Sequence, residues 1–113
     1  MATSRTLIYD LLDLPPGHLT VTAVRVEHWG STVEIDCIHS LPPLDRPFTL
    51  VFRDCRGLEW YVQRAGKDIQ PDEAAQLLTH DLGQPDHQRT ARLATTLFEL
   101  IISYRELEIV RGW

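Results

Sequence analysis

The sequence predicts an α+β fold that is mainly antiparallel β: two consecutive hairpins forming a curved sheet, a sandwich or partial barrel, with one or two short helices. Three observations carry this expectation. In residues 47–64 (PFTLVFRDCRGLEWYVQR), Phe48, Leu50 and Phe52 alternate with Thr49, Val51 and Arg53; beyond the polar break Asp54-Cys55-Arg56-Gly57, Leu58, Trp60 and Val62 alternate with Glu59, Tyr61 and Gln63. Period-two alternation on both sides of a short Gly-containing break predicts a hairpin. Upstream, Val33, Ile35 and Cys37 share one face against Glu34 and Asp36, which adds a second strand pattern. The order of elements, hairpin then hairpin, argues against the βαβ units of a parallel nucleotide-binding sheet.

Taken in order, residues 4–12 read as a short helix: Ser4 suits an N-cap, and Leu7, Ile8, Leu11 and Leu12 fall on one helical face. An edge strand over residues 7–12 is the alternative. Pro15-Pro16-Gly17 stops the element and turns the chain. Residues 19–28 read as a strand rich in β-branched side chains, and the apolar phase shift between Val21 and Val24 marks a bulge or burial on both faces. Trp29-Gly30-Ser31 is a turn into the strand at residues 32–39, completing a first hairpin. Residues 41–45, LPPLD, read as an extended loop because proline cannot donate to a sheet ladder. After the 47–64 hairpin, Pro71-Asp72-Glu73 opens a predicted helix reaching Thr79 or His80, buried through Ala74, Leu77 and Leu78.

The C-terminal segment admits two readings. As strands, Phe98, Leu100, Ile102 and Tyr104 line one face, with Leu107 and Ile109 following a turn near Arg105. As one long helix, Leu93, Leu97, Leu100, Tyr104 and Leu107 form a seam, giving a two-layer α+β fold. Strands are favoured, because the run is apolar on too many sides for a surface helix and carries Thr95-Thr96, Ile101-Ile102 and Ile109-Val110.

A length of 113 residues fits a single domain spanning 1–113, and is enough to bury a core without metal or disulfide staples. With 43% apolar and 24% charged residues the composition is that of an ordinary globular chain. The net charge of −5 and a solitary lysine, Lys67, argue against nucleic acid as a partner and against anionic membranes. No basic start precedes an apolar run at the N-terminus, and no apolar segment has spanning length, so a cytoplasmic location is expected. Cys37 and Cys55 follow no metal or redox spacing.

Four groups of residues carry candidate chemistry. His80, Asp81, Asp86 and His87 form a His-Asp…Asp-His cluster whose donor types suit zinc or manganese; its plain reading is a solvated loop. Arg53, Tyr61, His39 and Tyr104 are candidates for a small-ligand pocket on the curved sheet. Cys37 reads as a small buried hydrophobe and Cys55 as a turn residue, neither with an oriented histidine to make it a nucleophile. Trp29, at a hairpin tip, and Trp113, the last residue, are candidates for an interface, whereas Trp60 reads as core beside Leu58 and Val62. Arg25, Arg53, Arg64, Glu34, Asp36 and Glu59 decorate the outer face as cross-strand ion pairs. No cofactor is implied, because phosphate-loop, GxSxG and HExxH patterns are lacking.

The leading expectation is a non-catalytic binding or interaction domain that partners itself, as a homodimer, or another protein. The alternatives are a small-ligand-binding domain and a metal-dependent enzyme built on the 80–87 cluster.

Overall fold

The structure, a computed structural model, describes residues 7–62 and 74–113. Among these described residues one antiparallel sheet of eight strands that does not close dominates, with a lone short helix, α1 (Ile8–Leu12), and a 3-10 turn at His28–Gly30. The strands are β1 (His18–Glu27), β2 (Thr32–Leu41), β3 (Leu44–Arg53), β4 (Gly57–Val62), β5 (Ala75–Asp81), β6 (Ala91–Thr95), β7 (Phe98–Ser103) and β8 (Glu106–Arg111). Their order across the sheet is β4-β7-β6-β5-β1-β2-β3-β8. The molecule is therefore sheet-dominated rather than α+β.

The first hairpin forms as its alternation requires. β1 and β2 pair along their whole length, and the register slips between Val21 and Ala23, the bulge marked by the apolar phase shift. Val33, Ile35, Cys37 and also His39 are buried on one face of β2. The 41–45 segment is not an extended loop: Leu41 already faces Leu44, and Pro42-Pro43, joined by a cis bond, makes a tight turn into β3. Neither proline is asked for a ladder N–H there.

The second hairpin does not exist. β3 pairs with β2 and β8, while β4 pairs with β7 at the opposite edge of the sheet. Residues 54–56 are a corner instead of a turn. Asp54 takes a left-handed φ of 52°; the Cys55 N–H donates to Ser31 O and the Arg56 N–H to Ser103 O, both 3.0 Å away. Tying the corner amides to two distant segments directs β4 away from β3.

The registers explain the corner. Arg53 faces Glu106 on one side of it, and Gly57 faces Ser103 on the other. Residues 48–62 and 98–111 thus run as one long antiparallel ribbon, bent where 54–56 face 104–105. Three residues against two is a bulge, the usual device for bending a ribbon.

Two helical expectations give way to strands. Residues 75–81 form β5, with Ala75 and Leu77 buried and Gln76 and Leu78 exposed; the alternation suits a strand joining β1 to β6, and this pairing overrides local helix propensity. The predicted opening of that helix, Pro71-Asp72-Glu73, lies outside the described residues, as do Ser4, Lys67 and Arg64. The C-terminal segment is β6, β7 and β8, so the long-helix alternative is overturned. Phe98, Leu100, Ile102 and Tyr104 are buried on one face, and the turn falls at Tyr104-Arg105.

α1 lies over the β5 side of the core, burying Ile8 and Leu12. The Ile8 N–H donates to Nε2 of His80 on β5 at 2.9 Å, and Arg111 Nη2 of β8 donates to Leu12 O at 3.0 Å. Both helix ends are thus fastened to side chains far away in sequence.

Candidate interaction surface

The surface that stands out lies along β4 and the tip that follows β1. At the tip, His28, Trp29 and Gly30 hold consecutive positive φ values of 52°, 62° and 96°. Only glycine adopts this region without cost. The Ser31 Oγ and N–H both donate to His28 O, at 2.8 and 3.1 Å, and hold the tip in place. The indole of Trp29 is fully exposed, at 106% of its reference area. Uncommon backbone geometry that displays a large apolar side chain to water is an observation from which function can be inferred.

Next to the tip, β4 is exposed along its whole length. Leu58, Trp60 and Val62 lie on the side of the core residues Ile102, Leu100 and Phe98 that they face across the β4–β7 ladder. Trp60 stacks on Phe98 with ring centroids 4.3 Å apart and planes 12° apart. Yet Trp60 is 45% exposed and Val62 56% exposed, which corrects the expectation that Trp60 is core. The reason is topological. β5 pairs with β1 only at Thr20 and Val21, so among the described residues the side of β1 away from β2, beyond Val21, has no strand partner, and neither does the outer side of β4. A cleft of about 730 Å³ opens between Val26 with the Trp29 tip and residues 55–58. A smaller one of about 220 Å³ separates Val24 from Trp60 and Phe98.

The other candidate residues are drawn to separate partners. Arg53 lies on the outer face and pairs with Glu108 at 2.6 Å. Tyr104 points inward: its ring packs edge-on to Phe52, and its hydroxyl donates to Leu82 O at 2.5 Å, with burial raising its pKa. His39 is fully buried, with Nε2 2.9 Å from Pro15 O and its ring edge-on to Tyr9. Tyr61 is half-exposed on β4. The four do not line one pocket.

In the 80–87 cluster, His80 turns to α1, and Asp81 accepts from Arg89 Nη1 at 2.9 Å and from the Gly83 N–H at 3.0 Å. Asp86 approaches Arg105 at 3.8 Å, and His87 Nδ1 meets Ser103 Oγ at 2.7 Å. Among the described residues no three His, Cys, Asp or Glu side chains are placed to hold a metal ion together.

Electrostatics points away from nucleophilic chemistry. Both cysteines are free. Burial pushes the Cys37 thiol up to about 12, and burial also raises that of Cys55, so neither holds a thiolate near neutrality. Burial lowers the pKa of His80, with Asp81 and Asp10 pulling the other way; a neutral imidazole is what the Ile8 N–H requires. Arg25 does form the expected outer-face ion pairs, with Asp36 and Glu34. Trp113 is 48% exposed beneath the Arg111 guanidinium, 5.6 Å from its ring centroid, at the β8 edge and away from the Trp29 tip.

Sequence reasoning named Trp29 but missed β4 itself, because Leu58, Trp60 and Val62 read as core. The residue pattern was right and its cover was assumed. The chain matches no known protein family, and no characterised protein shows significant similarity to it.

Proposed function

We propose that this chain is a non-catalytic protein-interaction domain, whose working surface is the outer side of β4 with the Trp29 tip beside it. One observation carries the reading. An edge strand with four exposed apolar side chains, Leu58, Trp60, Tyr61 and Val62, adjoins a tip held in costly geometry that serves no packing of its own. Exposed, flat, apolar edges template pairing with another chain, and aromatic anchors dominate binding energetics. The thiols, held protonated, and His80, engaged in holding a helix, leave the conspicuous nucleophile and base candidates occupied with structure.

The test is site-specific photo-cross-linking. A photoreactive side chain is placed at Tyr61, and separately at Arg92, an exposed residue of the otherwise largely buried β6, and cells expressing the chain are illuminated. A discrete protein adduct from the Tyr61 position alone is expected. An absence of adducts, or equal labelling from both positions, would overturn the reading.

A further inference from the structure

We infer that the end of the β5–β6 hairpin is a binding site for a small monocarboxylate, held by Arg92 together with the hydroxyls of Thr79 and Thr90. The site lies apart from β4 and does not depend on the interaction reading above.

The register sets two arginines beside one acid. Asp81 faces Arg92 directly across the β5–β6 ladder, a position where opposite charges ordinarily pair. Here they do not. Asp81 Oδ2 accepts from Arg89 Nη1 at 2.9 Å, and its Oδ1 accepts from the Gly83 N–H at 3.0 Å. Both carboxylate oxygens are taken by the turn that follows β5. Glycine at 83 allows that turn: its φ is 71°, and a Cβ there would collide with the backbone of Arg89 and Thr90. Arg92 is left without an ion pair among the described residues.

Two guanidinium groups against one carboxylate leave an excess positive charge, on a chain whose net charge is −5. Arg89 is itself only partly compensated. It meets Asp81 through one nitrogen, and its Nε and Nη2 are buried without a hydrogen-bond partner, a state that calls for a nearby water or ion. These groups border a cleft of about 280 Å³ lined by Thr79, His80, Asp81, Arg89, Thr90 and Arg92. Thr79, Thr90 and Arg92 are exposed, so their donors are open to a ligand. Neither Val62 nor Ala74, the residues that border the undescribed segment, lines the cleft.

The ligand class follows from the charges and the size. A guanidinium and two hydroxyls can all donate, and the one carboxylate is already occupied, so the cleft suits an anion. One excess positive charge matches a monoanion. A phosphate monoester carries a charge of about −1.5 to −2, and the surplus would face Asp81. A carboxylate presents two acceptor oxygens, the pattern that the planar fork of a guanidinium fits. At about 30 Å³ for each water of liquid volume, the cleft accommodates a metabolite of roughly ten non-hydrogen atoms and excludes a nucleotide.

The test is an NMR titration of the full chain with sodium acetate at constant ionic strength, and in parallel with inorganic phosphate. Saturable shifts are expected at the amides of residues 79–81 and 89–92, with acetate bound more tightly than phosphate. Arg92→Gln removes a charge-assisted hydrogen bond and should weaken acetate binding by about tenfold or more. Arg53→Gln, on the outer face of β3, should leave it unchanged. Asp81→Asn removes the opposing charge and should move the preference toward phosphate. Circular dichroism on each variant confirms the fold. If Arg92→Gln does not fold, Thr90→Val, which deletes one hydroxyl, takes its place and should also weaken binding. Shifts that never saturate or that spread alike to Arg53 and Arg105, phosphate bound as tightly as acetate, a preference unmoved by Asp81→Asn, or wild-type affinity in the deciding variant would overturn the inference.

Discussion

β4 and β8 are the two edges of one sheet and lie at the two ends of one bent ribbon, yet they meet solvent in different ways. β8 turns Glu106 and Glu108 outward, holds Leu107 and Ile109 half-buried, and ties Glu108 to Arg53 across the ladder. Its Arg111 holds the end of α1. β4 has Glu59 as its single charge and no helix against it among the described residues. Alternation alone does not protect an edge. What protects β8 is the chemistry of the alternate residues and the element anchored at its end. Both strands show the same period in the sequence, and only one of them is finished as a surface.

The largest effect should come from removing the floor under β4. Leu100, fully buried on β7, faces Trp60. Leu100→Ala should cost about 2–5 kcal/mol through lost burial and the cavity left behind, read as a lower denaturant midpoint. Amide exchange should accelerate in β4 and β7 more than in β8. Ile109→Ala, on the other edge strand itself and only half-buried, should cost less. Equal losses would mean that the two edges are supported alike.

Acid should weaken the protected edge by loosening α1. The Ile8 N–H needs an unprotonated Nε2 on His80. Above the ordinary imidazole value of about 6.5, His80 is neutral whether or not the helix is docked, and docking is at full strength. Because burial lowers the docked value, falling pH protonates the undocked form first. Helix docking is therefore lost progressively below about 6.5, until the lowered value is passed. Asp81, Asp10 and the ring of Tyr9 surround this contact, and the carboxylates moderate the loss. His80→Ala should remove the pH dependence and leave the Ile8 N–H unpaired, at a cost of about 1–3 kcal/mol. Hydrogen exchange at Leu11, Leu12 and the end of β8 across this pH range is the measurement; protection unchanged by acid in the wild type would sink the latch.

Trp29→Gly should separate stability from association. The substitution relieves a left-handed φ of 62°, worth about 1 kcal/mol, and gives up no packing, since the indole is fully exposed. The unfolding midpoint should hold or rise slightly while association through β4 weakens. A marked loss of stability would show that Trp29 serves the fold and not a partner.

These contrasts also show what the sequence could carry. The β1 bulge, the buried face of β2 and the strands and turn near Arg105 were legible because each depends on the period of a local run. Strand partnership was not. Residues 47–64 have the alternation of a hairpin, and the amide bonds that turn 54–56 into a corner go to Ser31 and Ser103, contacts that no local pattern encodes. β5 was misread as a helix because Leu77 and Leu78 together suit a helical stripe; that only Leu77 is buried is decided by β1 and β6. The candidate surface was half legible. Trp29 was visible as an aromatic tip, but the exposure of Trp60 follows from β5 leaving β1 after Val21.

The smallest stability effect should come with an informative gain of function. Glu108→Val removes an ion pair between half-exposed groups, worth under about 1 kcal/mol, and β-branched valine suits a strand. Folding stability should barely change. What changes is the outer row of β8, left with Glu106 and the already exposed Val110. If charge is the main guard of this edge, the variant should self-associate at concentrations where Trp60→Lys, which disables β4, is monomeric, and the double variant should associate through β8 alone. If the double variant stays monomeric, charge is not the guard, and protection of β8 must reside in α1 and its anchors at Arg111 and His80. Repeating the measurement below the pH at which His80 protonates then decides between the two, because acid releases the helix without altering valine.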